Sequence, residues 1–360
     1  MLVGGGQYIL SHAGYGGEQW FSYNEHALAW TAMLDVIGFG AVNQDEIYVV
    51  PSLADLPQAT LPSGSEQTIT RGEYEELTGL LTQTGAYKLS TGGGQAANTL
   101  YALARIGFST GMIGSAGSDA EGDSLVTDLS PVDTSQIARG GRTARCVVIL
   151  ENGQERTMRV LPAIHLPPVN ALSAWDALGG GLYLHLTSLA PPELIVTQVE
   201  LLKRVPRTVK LSFDPNELYC RLGLSALAPI LNRVDVLFLN ENESRMLTGS
   251  RDPERFFRAS EFNIPLLVHK KGPRGAEITT LAGEHLEVPA KDVATLDPTG
   301  AGDVFAAGFL AGLLLGLDLK KCALLASKAA AQSVTGYGRS SYPGPELLDL
   351  LGLRPPVSAR

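Results

Sequence analysis

Short apolar runs separated by stretches of helical spacing dominate the chain from residue 182 onward. Leu182–Leu186, Val209–Phe213, Val234–Leu239 and Leu266–His269 are almost continuously apolar, as strands buried on both faces require. Segments such as Pro192–Lys203, lying between them, are spaced as helices. This alternation predicts a parallel sheet covered by helices. The first half begins in the same way. Asp35-Val-Ile-Gly-Phe-Gly40 reads as a buried strand ending in a glycine turn, and Gly111–Gly114 as another. Between them Gly94–Ile106 reads as an amphipathic helix, with Ala97, Leu100, Ala104 and Ile106 near one face and Gly107 as its stop. Two helices close the chain, Asp303–Leu315 and Leu319–Val334. A different pattern appears at Arg145–Leu150 and Thr157–Leu161, which flank Glu151-Asn-Gly-Gln154. Asn-Gly between β-prone runs signals a hairpin, here one that belongs to a small separate sheet. Ile47–Val50 reads as a strand, and residues 51–85 are rich in Pro, Ser and Thr before turning helical around Glu73–Leu81.

The 360 residues are 44% hydrophobic, enough for one large core with or without a small appendage. A net charge of -9 argues against a nucleic-acid partner held through phosphates. Cys146, Cys220 and Cys322 form neither a metal spacing nor a disulfide framework, which suits a reducing cytoplasm. No apolar run has the length of a membrane span. Residues 1–32 are Gly-rich, with Trp20, Phe21 and Trp30, and lack the pattern of a signal peptide. They read as an extension outside the fold.

The chemistry concentrates at Asp297-Pro-Thr-Gly-Ala-Gly-Asp-Val-Phe305. Gly300-Ala-Gly302 precedes a long apolar helix, whose first turn offers unpaired N–H groups and a positive dipole end. Small residues let an anion approach that backbone. A carboxylate beside it, Asp303, is placed to take a proton from an attacking hydroxyl. Taken alone, Asp303 reads equally well as a helix cap. Gly38-Phe-Gly-Ala-Val-Asn43 invites a dinucleotide-site reading, but Asn43 replaces the third glycine and no clear helix follows.

The 297–305 string resembles the C-terminal signature of the ribokinase (PfkB-type) carbohydrate kinase family, Asp-x-x-Gly-Ala-Gly-Asp-x-Phe. That resemblance implies Asp303 as base and an anion hole from Gly300, Ala301 and Gly302. Further segments match the family. Gly92-Gly-Gly-Gln-Ala-Ala-Asn98, followed by Gly117-Ser-Asp-Ala-Glu-Gly122, is similar to its Gly-Gly-x-x-x-Asn stretch and the Gly-x-Asp-x-x-Gly after it. This implies substrate contacts from Gly93, Gly94 and Asn98. On its own the first of these segments reads as a Gly-rich helix start with a surface Asn. Asn43 and Asp45 match the family's Asn-x-Asp at the end of the first strand, and their amide and carboxylate suit vicinal hydroxyls. Asn240-Glu-Asn-Glu243 resembles the Asn-x-x-Glu motif, implying Asn240 near the nucleotide and Glu243 near Mg²⁺ through water. A capped helix start explains the same residues. Lys270-Lys-Gly-Pro-Arg-Gly275 resembles the turn bordering the ATP phosphates, giving Lys271, Gly272 and Gly275 as nucleotide ligands. Ser327 falls where the family's helix passes the adenine. Backbone carbonyls of Asp297 and Thr299, with others near Val334–Gly338, are implied to hold a monovalent cation such as K⁺.

The expected fold is a three-layer α/β/α sandwich with a mainly parallel central sheet and a small β-sheet lid. The kinase domain is expected over residues 33–345, with lid strands from about 45–50, 88–91 and 145–161, and a tail at 346–360. The expected activity is ATP- and Mg²⁺-dependent phosphorylation of a sugar or sugar acid in the cytoplasm, with a homodimer formed through the lid. The longer 52–87 segment resembles the adenosine-kinase branch and keeps a nucleoside substrate open. Leu186-Thr-Ser188 stands where the ribokinase pattern has a Glu near the sugar. A non-catalytic ligand-binding relative is the reading from another class, and the intact Asp303 and Glu243 speak against it.

Overall fold

The computed structural model describes residues 33–55, 64–151, 155–251, 262–349 and 352–353. The expected N-terminal extension, the hairpin tip at 152–154 and the end of the tail lie outside these. The strands are β1 Leu34–Phe39, β2 Asn43–Val50, β3 Glu66–Thr68, β4 Tyr87–Gly93, β5 Thr110–Ala116, β6 Ile137–Arg139 and β7 Ala144–Glu151. They continue as β8 Glu155–Leu161, β9 Gly181–Thr187, β10 Lys210–Asp214, β11 Val236–Asn240, β12 Leu266–Lys270, β13 Ala276–Thr280 and β14 His285–Val288. Among the described residues a nine-stranded sheet runs in the order β14-β13-β12-β11-β10-β9-β1-β5-β6. It is parallel from β12 to β6 and antiparallel at the β12–β13–β14 edge.

The near-continuous apolar runs have the physical reason expected of them. Val236 and Phe238 of β11 point into the core containing the helices Gln95–Ile106, Ala301–Leu314 and Leu319–Ser333. Leu237 and Leu239 point into the opposite core, with Trp175, Leu201, Leu227 and Leu247. Helices therefore cover both faces, the three-layer sandwich expected from the sequence.

The second sheet runs β3-β8-β7-β2-β4, and it is the expected lid with two additions. Strand β3 joins its edge beside β8. The helix Arg71–Gln83 packs Tyr74 and Leu81 against Tyr48, Val147 and Ile149 of its inner strands. That helix begins with a complete capping box between Thr70 and Glu73. The packed core also runs past the expected boundary at 345. Glu346–Asp349 is helical, and Leu347 and Leu348 are fully buried.

The polar residues of interest end up together because parallel strands place their C-terminal ends on one edge. Thr187 ends β9 in register with Asp214 of β10, and Asn240 ends β11 in register with Lys270 of β12. β1 lies between β9 and β5, where the strand order reverses, the place at which open parallel sheets form their ligand crevice.

Candidate active site

The helix Ala301–Leu314 is buried through most of its length and begins on this crevice. Gly300 precedes it with φ 77°, a left-handed conformation that carries the chain out of the Asp297–Thr299 turn. Ala301 N donates to Pro298 O at 3.2 Å. Among the described residues nothing accepts from the Gly302 or Asp303 amide. Asp303 is the third residue of the helix and does not cap it. Its Oδ2 accepts from Asn98 Nδ2 at 2.9 Å, and its backbone carbonyl from Thr99 Oγ1 at 3.2 Å. No described donor reaches Oδ1. Burial pushes the Asp303 carboxyl up to about 6; the Asn98 hydrogen bond works against this, Asp214 adds to it and Lys270 opposes it.

A methyl group at Gly300 would overlap the Tyr342 hydroxyl as well as force a strained φ. Gly300→Ala is therefore expected to displace the helix start. We expect it to lower kcat by about 10²-fold or more, since a 1 Å misplacement at a reacting centre has that effect. Steady-state ADP formation is the measurement.

The glycines of the 92–98 segment serve close approach. Strand β4 ends on Gly93, where any side chain would strike the Asp45 carboxylate. Gly94 has φ 97° and sits against the Ala41 carbonyl, fixing the start of helix Gln95–Ile106 to the β1–β2 turn. Asn43 Nδ2 donates to Asp45 Oδ1 at 2.5 Å, so this pair is bonded to itself. Burial raises the Asp45 carboxyl to about 7, with Arg339 and Arg156 opposing. Asn98, expected from the resemblance to contact substrate, is bonded on both polar atoms. It joins Asp303 to Arg339, whose Nε donates to Asn98 Oδ1 at 3.0 Å. Asn43, Asp45, Gly93, Gly94 and Asn98 thus lie together beside Asp303.

On the other side of the helix start, Lys270 Nζ donates to Asp214 Oδ2 at 2.5 Å. Burial works to depress the Lys270 ammonium, but Asp214 and Glu243 outweigh it and hold its pKa above the ordinary value. A side chain on Gly302 would come within 3.4 Å of Lys270 Nζ, so the ammonium borders the unpaired helix-start amides. Asn240 and Glu243 form a full capping box: Glu243 N donates to Asn240 Oδ1 at 2.9 Å, and Asn240 N to Glu243 Oε2 at 2.8 Å. Burial raises the Glu243 carboxyl well above the usual range, and Lys270 opposes it. The cap holds one carboxylate oxygen, Oε2.

Lys271 turns elsewhere and pairs with Glu277. Gly272 opens the short Gly272–Arg274 turn with φ 57°. Gly275 has φ 92° and packs on the Val288 carbonyl, a demand of the β13–β14 edge that holds with or without a nucleotide. Ser327 Oγ donates to Pro289 O at 3.1 Å. Asp297 uses both carboxylate oxygens as a brace: Oδ1 accepts from Thr299 N and Oδ2 from Gly338 N, each at 2.9 Å. Val334 O accepts from Leu296 N at 2.8 Å, so the 334–338 loop is sewn to the Asp297–Thr299 turn.

Thr187 Oγ1, Asp214 Oδ1, Thr299 Oγ1 and Arg339 Nη1 are buried without a protein partner. Thr187 and Asp214 end neighbouring strands in register, where a polar ligand could satisfy them. Five further buried polar atoms among the described residues, including His185 Nε2 and His269 Nε2, also lack a protein partner. Lys270, Arg339 and Tyr342 were not singled out as site residues from the sequence. For Lys270 the signal existed in strand parity. For Arg339 and Tyr342 there was only their place in the loop following the last long helix.

The site thus holds a buried carboxylate beside unpaired helix-start amides, with an ammonium at its flank. A family model described as pfkB family carbohydrate kinase matches residues 72–345. The chain belongs to this family. An uncharacterized sugar kinase from Archaeoglobus fulgidus is 32% identical over 246 residues, covering 66% of this chain and 95% of that protein. An ATP-dependent ribose-1-phosphate kinase from Halopiger xanaduensis is 30% identical, covering 70% and 83%. Among solved structures, adenosine kinase from Sinorhizobium meliloti superposes with a TM-score of 0.74 at 20% identity, covering 89% of this chain and 99% of that one. The PfkB protein described here is a sugar or nucleoside kinase, a phosphotransferase with an alcohol acceptor, and its family implies ATP as the donor. No helix among its described residues is long and apolar enough to cross a membrane.

Proposed function

We propose that this kinase phosphorylates a hydroxyl of a small sugar or sugar acid, with Asp303 as general base. The observation that carries the reading is the asymmetry of the Asp303 carboxylate: Asn98 occupies Oδ2, and Oδ1 faces no described donor. Oδ1 is then the atom that takes the proton from the acceptor hydroxyl as its oxygen attacks the γ-phosphorus in line. The unpaired Gly302 and Asp303 amides receive the charge developing on the transferring group, together with Gly300 N, while Ala301 N is already bonded to Pro298. Lys270 supplies a fixed positive charge beside them. Glu243, with Asn240 behind it, would hold Mg²⁺ through water, and that ion would neutralise charge on the phosphates. The loop joining Val334 to Asp297, with the partnerless Thr299 hydroxyl, supports a monovalent-cation site such as K⁺ next to the hole. Asn43 and Asp45, at the start of lid strand β2, are the hydroxyl-reading pair, and closure of the lid would exclude water from the transfer.

A second reading, a nucleoside acceptor, is favoured by the extra helix Arg71–Gln83 on the lid and the adenosine kinase superposition. ADP release should be measured with ATP and Mg²⁺ against pentoses, hexoses, sugar acids, sugar phosphates and nucleosides. Turnover of a sugar or sugar acid is the expected result; turnover confined to nucleosides would overturn the choice of substrate class but leave the mechanism standing. ATP turnover unchanged by Asp303→Asn would remove the mechanism itself.

A further inference from the structure

Arg339 lies at the beginning of the loop turn Gly338–Ser341, 241 residues from Asn98 in sequence, yet it is buried against it. Its guanidinium rests over the Tyr101 ring, 5.1 Å from the centroid. Nε donates to Asn98 Oδ1 at 3.0 Å, and Nη2 to the Gly93 carbonyl at 3.4 Å. Gly92 leaves the space it fills, because a side chain there would strike Nη1. Burial depresses its pKa, with Tyr342 and Asp45 working against that. Its bonds go to an amide and a carbonyl, not to a carboxylate. A buried guanidinium without a paired carboxylate is unfavourable on its own.

We infer that Arg339 is a positioning residue that fixes the orientation of the Asn98 amide and, through it, which oxygen of Asp303 remains available as the base. An asparagine amide has two orientations of nearly equal shape and opposite polarity. The guanidinium is a donor only, so it selects Oδ1 of Asn98. The NH₂ group must then face Asp303 Oδ2, as it does at 2.9 Å. The reverse orientation would set an amide oxygen against the carboxylate and an NH₂ group against the guanidinium. Without Arg339 only Asp303 itself holds the amide, and that hold weakens once Asp303 has accepted a proton. The relay keeps Oδ2 hydrogen-bonded throughout and Oδ1 directed at the acceptor hydroxyl.

This inference rests on Asp303 being the base, but its test reads the carboxyl directly and needs no substrate. Charged and titratable groups around Asp303 are Asp214 and Lys270 on the large sheet, Arg156 and Asp45 on the lid, and Asp297, Tyr342 and Arg339 itself on the loops. Of these only Arg339 is altered in the variants, and the Asn98→Ala background separates the loss of its bare charge from the loss of the relay. The protonated-carboxyl infrared band of Asp303, isolated by difference against Asp303→Asn, should be titrated in the wild-type chain and in Arg339→Met, Arg339→Lys and Asn98→Ala. Loss of a well-aligned hydrogen bond to the ionised form should move the Asp303 midpoint up by about one pH unit in Arg339→Met. Arg339→Lys, which keeps a donor, should return most of it. In an Asn98→Ala background, Arg339→Met should add almost nothing. A midpoint unmoved in Arg339→Met, or moved equally with and without Asn98, would overturn the relay, the latter pointing to bare charge. Should Arg339→Met not fold, the donor-only Arg339→Lys and Asn98→Ala carry the test: the relay then requires a near-wild-type midpoint in Arg339→Lys and one raised by about one pH unit in Asn98→Ala, and equal midpoints in the two overturn it. Failure of the base assignment has a different signature, namely ADP formation that survives Asp303→Asn.

Discussion

Asp303→Asn is expected to lower kcat by about 10²–10⁴-fold, the usual contribution of a positioned general base, while leaving the fold intact. The isosteric amide keeps an oxygen for Asn98 Nδ2 but cannot take the hydroxyl proton. The same carboxylate sets the pH dependence. With its pKa pushed up to about 6 by burial, kcat should fall as pH drops through that value, because the protonated form cannot act as base. The stability effect has the opposite sense. A carboxyl whose pKa rises on folding favours the folded state at low pH, and that contribution is lost as pH rises from about 4 through about 6. At pH 8 the wild-type chain carries the whole of that loss and the variant none of it. The melting temperature of Asp303→Asn at pH 8 should therefore equal or exceed wild type, as thermal circular dichroism would record. A lower melting temperature, with activity lost in proportion to folded protein, would mean that the residue is structural.

Lys270→Met should have the largest effect on stability. Lys270 and Asp214 form an ion pair with side-chain exposures of 14% and 2%, and the buried Glu243 shares the same ammonium. Removing one partner of a buried pair typically costs roughly 3–5 kcal/mol, because the other charge is left uncompensated. Here Asp214 already has one oxygen without a partner, which leaves little to absorb the loss. Chemical denaturation should show that drop in Lys270→Met. The double variant with Asp214→Asn should recover much of it, since the stranded charge is gone. Catalysis should not recover with it, because the positive charge beside the Gly302 amide is still absent. Recovery of both stability and turnover would show that the ammonium serves packing alone.

Most of the fold was legible because its causes are local. Apolar runs such as Val236–Leu239 are continuous because alternate residues enter opposite cores, and that pattern needs no knowledge of what covers them. The antiparallel pairing of β7 with β8 and the stop at Gly107 were legible from turn signals in the same way. The 297–305 string was legible as a helix start that could bind an anion, since that property belongs to a few adjacent residues. The lysine was harder. Strand parity sends His269 and Lys271 to the side of Glu277 and Lys270 to the side of Asp214, so the choice between the two lysines depended on register.

The tertiary structure alone decided that Asp303 does not cap its helix and which groups surround it. By itself the sequence determined that a carboxylate would sit in the first turn of an apolar helix, where capping and catalysis were equally open. Asn98, 205 residues earlier, occupies one of its oxygens, and Arg339 fixes that Asn in turn. Such contacts leave no periodic trace along the chain. They form only when the parallel strands bring their ends to one edge and the loop after the last long helix folds back across it.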